Sequence, residues 1–156
     1  EKLKDSLNEI KIKKEILNND SIQTFRLDDS HTIDLAKSSS LIKILEFLND
    51  STRYDTLEIR VFELRFANKN DEIFEINKDY IKNLYRILYY NPNSLIYLKA
   101  YSELGMTSAD RRALFLKNRL IGEGVSIKRI IVDSSFSNQI NPSYALNSQV
   151  HFRITK

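Results

Sequence analysis

Several residue types are scarce or absent in this chain of 156 residues, and each absence excludes a class of site or architecture. There is no cysteine, so disulfide bonds and thiolate metal sites are excluded. Three glycines and two prolines are too few for a low-complexity or collagen-like chain. No apolar run reaches the roughly 18 residues that a membrane-spanning helix needs. Because the chain begins with Glu1, we expect any signal peptide or lipid anchor to lie upstream.

The remaining composition is that of an ordinary globular domain. Hydrophobic residues make up 42% of the chain and charged residues 29%, which is enough for one sizeable core. The net charge of +3 is unevenly distributed, because residues 1–98 hold 15 Lys and Arg against 17 Asp and Glu, and residues 99–156 hold 9 against 4. The C-terminal part is either a solvated basic surface or the candidate for binding an anionic partner.

No catalytic or metal-binding motif is recognisable in the sequence. His31 and His151 have no carboxylate at metal-ligand spacing, and neither lies in a known catalytic pattern. There is also no Gly-rich phosphate loop and no nucleophile elbow. We therefore predict that the protein is not an enzyme and that it uses no metal or cofactor.

Residues 1–50 are interpreted as an N-terminal extension. Residues 1–20 predict an amphipathic helix, whose narrow apolar stripe consists of Leu3, Leu7, Ile10 and Leu17. A short strand (SIQTFRL), a turn and a serine-capped helix (SSSLIKILEFLND) follow. The inward residues of that helix are predicted to be Leu41, Ile44, Leu45 and Leu48. We expect residues 22–50 to pack against the rest of the chain, because alone they bury too little apolar surface to offset their ordering entropy.

From Leu57 onward the pattern predicts the element order β-α-β-α-β-β. Residues 57–66 (LEIRVFELRF) alternate apolar and charged side chains and change phase after Val61, as a bulged strand does. The other strands are predicted at 94–101, 130–136 and 149–155, and the helices at 78–90 and 108–121, the second capped by Thr107 or Ser108. This order favours an α+β fold with two helices on one face of a mixed sheet.

Short motifs within 57–156 follow one another in a recognisable order and spacing. They are LRF at 64–66, AYSE at 100–103, SADRRA at 108–113, Gly124-Val125 with Arg129-Ile130, and NSQV at 147–150. Together they resemble the OmpA-like domain of bacterial envelope proteins. In that family the second strand runs into a Gly-His/Tyr-Thr-Asp turn, the second helix opens with Leu-Ser-x-x-Arg-Ala, and the last strand starts with Asn-Arg-Arg-Val.

The resemblance implies non-covalent association with peptidoglycan. OmpA-like domains hold its peptide stem, whose diaminopimelate carries an ammonium group beside carboxylates. An acidic side chain accepts the ammonium, an arginine binds a carboxylate through its two-pronged guanidinium, and a helix N-terminus adds amide donors. Transferred to this chain, the implied site consists of Tyr101, Ser102, Glu103, Arg111, Arg112 and Asn147, with Glu103 as the anion and Arg112 as the carboxylate ligand.

Several positions depart from the family pattern at the implied site. The loop before the second helix is short, the usual Asp is Glu103, and the paired arginines of the last strand are Ser148 and Gln149. These departures leave open that Glu103 and Arg112 form only an ion pair. They also favour a second interpretation, in which the domain is a structural interaction module of an envelope-spanning complex such as a secretion system or flagellar motor.

Both interpretations divide the chain into an extension at 1–50 and an OmpA-like domain at 57–156, and both imply the periplasm. A membrane contact is expected only through an upstream anchor, as in an outer-membrane lipoprotein. A remote alternative is an RRM-like RNA binder, because Tyr97 and Tyr101 lie on one face of a predicted strand. The Lys/Arg-Gly-Phe/Tyr motif of that fold is missing, so we expect no nucleic-acid partner.

Overall fold

The computed structural model describes Leu7 and residues 21–66, 73–75, 79–102, 105–132 and 150–156. The strands in these ranges are β1 (Ile22–Arg26), β2 (Thr32–Ala36), β3 (Leu57–Val61), β4 (Leu64–Phe66), β5 (Ile73–Glu75), β6 (Leu95–Ala100), β7 (Ile130–Val132) and β8 (Val150–Thr155). The helices are α1 (Ser40–Asn49), α2 (Tyr80–Tyr89) and α3 (Met106–Glu123), and a 3-10 turn spans Ile127–Arg129. None of the helices in the described ranges is long and apolar enough to cross a membrane.

The main sheet has four strands in the order β3-β8-β6-β7. Strand β8 is antiparallel to both β3 and β6, whereas β7 is parallel to β6, so the sheet is mixed. Phe152 in the middle of β8 stands opposite Ile59 on one side and Leu98 on the other. These side chains form a continuous apolar row across three strands, and all three are buried.

The helices cover one face of this sheet. Alternate strand residues such as Ile96 and Leu98 are buried with helix residues in a single core, while Glu58 and Arg60 between the inward positions of β3 are exposed. The apolar residues at helical spacing in α2 and α3 face this core. Ile81, Leu84 and Leu88 of α2 and Ala113, Leu116 and Leu120 of α3 are buried, and Tyr85 is partly buried against the core. The predicted α+β fold, with helices on one face of a mixed sheet, is confirmed.

The prediction that residues 57–66 form one strand of this sheet is wrong. Strand β3 ends at Val61, and β4 pairs with β5 in a separate two-stranded sheet. The reason is that the alternation of apolar and charged residues changes phase after Val61. Leu64 and Phe66 are buried but stand out of phase with Ile59 and Val61, so the chain bends between the two pairs rather than continuing as a bulged strand.

The N-terminal segment contains an unpredicted strand. Strands β1 and β2 form an antiparallel hairpin, in which Ile33 and Leu35 of β2 are buried. Their alternation with exposed residues was the signal that could have identified β2. Helix α1 begins after Ser39, whose hydroxyl accepts a hydrogen bond from the Leu41 amide at 3.2 Å, as the serine cap predicts. The predicted helix at 1–20 lies outside the described residues except for Leu7, which is helical and exposed.

Residues of this segment belong to the same apolar core as the main sheet. Side chains of β2 and α1 contribute to it, namely Ile33, Leu35, Leu41, Ile44, Leu45 and Phe47. The expectation that residues 22–50 pack against the rest of the chain is therefore confirmed.

One guanidinium fixes the connection between α2 and β6. Arg129 donates to the carbonyl oxygens of Leu88 (3.0 Å), Asn91 (2.7 Å) and Ser94 (2.9 Å), and to the Ser94 hydroxyl (2.8 Å). Charge-assisted bonds to three carbonyls at the end of a helix stabilise the turn that they share. The start of β6 is thereby attached to the segment that leads into β7.

A glycine with positive φ ends α3. Gly124 has φ 122°, and its amide donates to the Leu120 and Ile121 carbonyls. A Cβ at this position would lie 3.1 Å from the ring of Tyr85. Both the backbone conformation and the close packing of α2 therefore require glycine here.

We predict that Gly124→Ala lowers the free energy of unfolding by about 1–2 kcal/mol, because the new side chain strains the backbone and meets Tyr85. Thermal unfolding measures the effect as a drop of several degrees in Tm. The matched control is Gly122→Ala inside α3, where a Cβ meets no atom within 4 Å. Ala there should raise stability by up to about 1 kcal/mol. If Gly122→Ala and Gly124→Ala change the free energy of unfolding by the same amount, the requirement for glycine at the C-terminus of α3 is contradicted.

Candidate functional site

Three residues of the implied site lie near the end of β6 and the start of α3. Tyr101 and Ser102 follow β6 directly, and Arg112 lies in the second turn of α3. The Nη1 atom of Arg112 donates to the Tyr101 carbonyl oxygen at 3.0 Å, although the two residues are 11 apart in the sequence. This bond attaches the end of the strand to the side of the helix.

A pair of hydroxyl groups closes the same junction. The Ser102 Oγ atom donates to the Ser108 Oγ atom at 2.8 Å, and both side chains are buried. The prediction that Thr107 or Ser108 caps the helix is wrong. Helix α3 begins at Met106 after Gly105, which has φ 105° and makes no side-chain cap bond. Because glycine can adopt this conformation, the chain enters the helix earlier and Ser108 faces the strand instead.

The guanidinium of Arg112 also contacts β4. Its Cζ atom lies 5.2 Å from the centroid of the Phe66 ring, within the range of a cation–π interaction. Only 2% of the Arg112 residue is exposed. Arg112 therefore joins three elements, since it belongs to α3, donates to the end of β6 and lies against an aromatic ring of β4.

Of the six residues implied by the family resemblance, three converge at this junction, namely Tyr101, Ser102 and Arg112. Arg111 is exposed. Successive residues of a helix point about 100° apart around its axis, so the neighbour of the buried Arg112 faces another side of α3. Glu103 and Asn147 lie outside the described residues, so the pairing of Glu103 with Arg112 stays a prediction.

Sequence reasoning did not assign Phe66 and Ser108 to the site. Phe66 stood in the motif LRF and could have been found as the aromatic residue that ends the family's first strand. Ser108 was interpreted as a helix cap and as the first residue of the SADRRA motif, and not as a site residue. Its contact with Ser102 depends on the packing of α3 against β6, which local sequence patterns do not contain.

The other chemistry-bearing residues of the described ranges lie apart from this junction. His31 is an exposed turn residue, whose Nδ1 atom is 2.9 Å from Asp28. His151 lies in β8, where burial, followed by the charge of Lys99, lowers its pKa. No group of three His, Asp or Glu residues within the described ranges is arranged to hold a metal ion.

The two tyrosines considered for RNA binding are not displayed as a stacking platform. Tyr101 is buried, and the guanidinium of Arg153 lies 4.2 Å from the centroid of the Tyr97 ring. Base stacking needs open aromatic faces on neighbouring strands. The arrangement does not favour the RNA-binding alternative.

The sequence matches no protein-family model and no curated protein sequence, but the fold matches solved structures. A putative MotB-like protein from Desulfovibrio vulgaris aligns with a TM-score of 0.52 at 16% identity, over 74% of this chain and 86% of that one. The periplasmic domain of Helicobacter pylori MotB aligns with a TM-score of 0.49 at 18% identity, over 65% and 81%. The OmpA-like domain of FopA1 from Francisella tularensis gives 0.48 at 16%, over 66% and 76%. The match to the MotB-like protein, together with the mixed sheet and its helices, shows that the chain has the OmpA-like fold.

We predict that the two serines at the junction are energetically coupled. Ser102→Ala and Ser108→Ala should each lower the free energy of unfolding by about 1–2 kcal/mol, because each leaves a buried hydroxyl with a lost partner. The double variant should cost less than the sum of the two, by about 0.5–1.5 kcal/mol. Denaturant unfolding measures this cycle, and Thr107→Ala, at an exposed position of α3, is the control. Additive effects would contradict the hydroxyl contact.

Proposed function

We propose that this chain is a non-enzymatic OmpA-like domain of the bacterial cell envelope that associates with peptidoglycan without a covalent bond. The observation that carries the proposal is the convergence of Tyr101, Ser102 and Arg112 at the end of β6. These residues stand at the motif positions to which the family resemblance assigns peptide-stem binding. The proposed ligand is the diaminopimelate of the stem peptide.

The chemistry of the junction suits a carboxylate. A guanidinium carries five donors in a planar fork, and one of them is directed at the Tyr101 carbonyl. The contact with Phe66 and the bond to the Tyr101 carbonyl hold this group at the end of β6. Helix α3 begins beside it without a side-chain cap, and the positive end of its dipole favours an anion.

The same proposal assigns a role to each part of the chain. Residues 57–156 are the proposed peptidoglycan-associating domain in the periplasm, and residues 1–50 are an extension whose described part packs on the same core. We propose that any membrane contact is made through a lipid anchor, as in an outer-membrane-associated lipoprotein. Other subunits of an envelope complex are the additional partners that we propose.

A second candidate function is supported by the burial of the same residues. Arg112 is 2% exposed and Ser102 is 1% exposed, so a ligand needs the junction to open before it reaches them. This favours an interaction module, in which the former ligand-binding residues stabilise the fold and another surface contacts a subunit of an envelope complex such as a secretion system or flagellar motor.

We predict that the domain sediments with purified sacculi and that Arg112→Ala weakens this binding at least tenfold, because each charge-assisted contact contributes roughly 1.5–3 kcal/mol. Arg112→Lys keeps the charge but loses the planar fork, so it should recover only part of the affinity. The matched control is Arg119→Ala, which removes an exposed charge from the same helix and should leave sedimentation unchanged.

Because Arg112 is buried, its substitution can unfold the domain. Thermal unfolding therefore tests first whether each variant is folded at the assay temperature. If the unmodified domain does not sediment with sacculi, peptidoglycan association is rejected and the interaction-module function takes its place. If Arg112→Ala and Arg119→Ala weaken binding equally, the attraction is general electrostatics rather than a site.

A further inference from the structure

A fully buried carboxyl group lies in the bend between β3 and β4. Glu63 is 0% exposed, and three hydrogen-bond donors converge on its Oε2 atom. They are the Ser39 hydroxyl at 3.1 Å, the Ser40 amide at 3.1 Å and the Ser40 hydroxyl at 3.0 Å. All three donors belong to the start of α1, which is 23 to 24 residues away in the sequence. The carboxyl group therefore connects α1 to the β3–β4 bend.

The network continues into α2. The Ser40 hydroxyl lies 2.8 Å from the hydroxyl of Tyr80, the first residue of that helix, and Tyr80 is also fully buried. Ser39 is the N-cap of α1, so the groups that bind Glu63 are the same groups that start the helix. A change at Glu63 is thus transmitted directly to the first turn of α1.

The two oxygens of this carboxyl group have unequal surroundings. Oε2 accepts three bonds, whereas Oε1 is buried and has no hydrogen-bond partner among the described residues. The groups that face the carboxyl from α1 are uncharged hydroxyls and an amide, and from α2 the group is the Tyr80 phenol. Arg65, also buried, is the charged residue two positions further along the chain. A buried carboxylate with one unbonded oxygen is costly, and a neutral carboxylic acid is much less so.

We propose that Glu63 is a proton-dependent latch for the N-terminal segment. The neutral acid is accommodated in the closed contact between the β3–β4 bend and the start of α1. Loss of the proton strengthens the three bonds to Oε2, but it leaves a buried charge whose Oε1 atom has no donor among the described residues. The carboxylate therefore favours opening of this contact to water, which loosens the first turn of α1. The inference is independent of peptidoglycan binding, because it concerns the attachment of residues 39–49 and not the junction of β6 and α3. A change of pH in the neutral range would switch Glu63 between its two protonation states.

The sign of the effect follows from the surroundings of the carboxyl group. Burial raises the pKa of Glu63 from its usual value of 4.5 to about 7, against the opposing effect of the bonds from Ser40 and Ser39. A raised pKa means that the latch contributes fully below about pH 4.5 and that its contribution is lost as the pH rises through about 7. Burial raises the pKa of Tyr80 as well, well above 10, so the phenol stays neutral throughout this range.

Amide hydrogen exchange at pH 5 and pH 8, corrected for the intrinsic effect of pH on exchange, measures the opening of α1. We expect the opening constant of the amides in residues 40–45 to rise between these pH values by roughly one to two orders of magnitude. Glu63→Gln has no proton to lose and should remove this dependence. Glu46→Gln is the matched control, because it removes an exposed carboxyl from the same helix and should behave like the unmodified chain.

A second variant tests the latch if Glu63→Gln does not fold. Ser40→Ala removes a donor that stabilises the carboxylate, so it should raise the pKa of Glu63, and the increase in α1 opening with pH should extend to a higher pH and become larger. The proposal is overturned if protection of α1 is the same at both pH values, or if Glu63→Gln keeps the dependence. It is also overturned if the amides of β8 change as much as those of α1, since the carboxyl would then affect global stability only.

Discussion

The structure depends on strand β8 being inserted between β3 and β6. Neither of these strands pairs with the other, and β8 is antiparallel to both. Its inward residues Val150, Phe152 and Ile154 are all fully buried and stand in register with apolar residues on each side. A slip by one residue would turn all three toward the other face, so burial fixes the register strongly. The helices can share one core only because this row is continuous.

The position of the candidate site follows from that register. Ala100, the last residue of β6, pairs with Val150, and the chain leaves the sheet immediately afterwards at Tyr101. An arginine is attached at each end of the strand. Arg129 donates to the Ser94 carbonyl before β6 begins, and Arg112 donates to the Tyr101 carbonyl after it ends. The sheet and the two guanidinium groups together determine where the strand end meets helix α3, and therefore where a ligand would bind.

Much of this fold could be predicted from periodicity, because a helix or strand with one buried face repeats its apolar residues at a fixed spacing. Strand β2 was missed because its alternation covers only a short stretch between a turn and a helix. The break after Val61 was predicted as a bulge, since a change of phase does not by itself say whether the chain stays in the sheet. The order of motifs located the residues of the β6–α3 junction.

The polar interior could not be predicted in the same way. An arginine or glutamate in a strand or helix pattern is normally assigned to the surface, because burying a charge is costly. The burial of Arg112 depends on Phe66 and on a carbonyl 11 residues away, and that of Glu63 on serines from α1. These partners are brought together only by tertiary packing. The same packing underlies the two proposals, a ligand-binding junction at the end of β6 and a pH-dependent attachment of α1.

In the proposed function, the junction of β6 and α3 recognises the peptide stem of peptidoglycan. Its most direct test is an NMR titration of the folded domain with a soluble stem peptide that contains diaminopimelate. We expect saturable shifts of the backbone amides at Tyr101, Ser102 and residues 105–109, and much smaller shifts with a peptide that carries lysine in place of diaminopimelate. Shifts that are absent, or that cluster elsewhere on the domain, would contradict it.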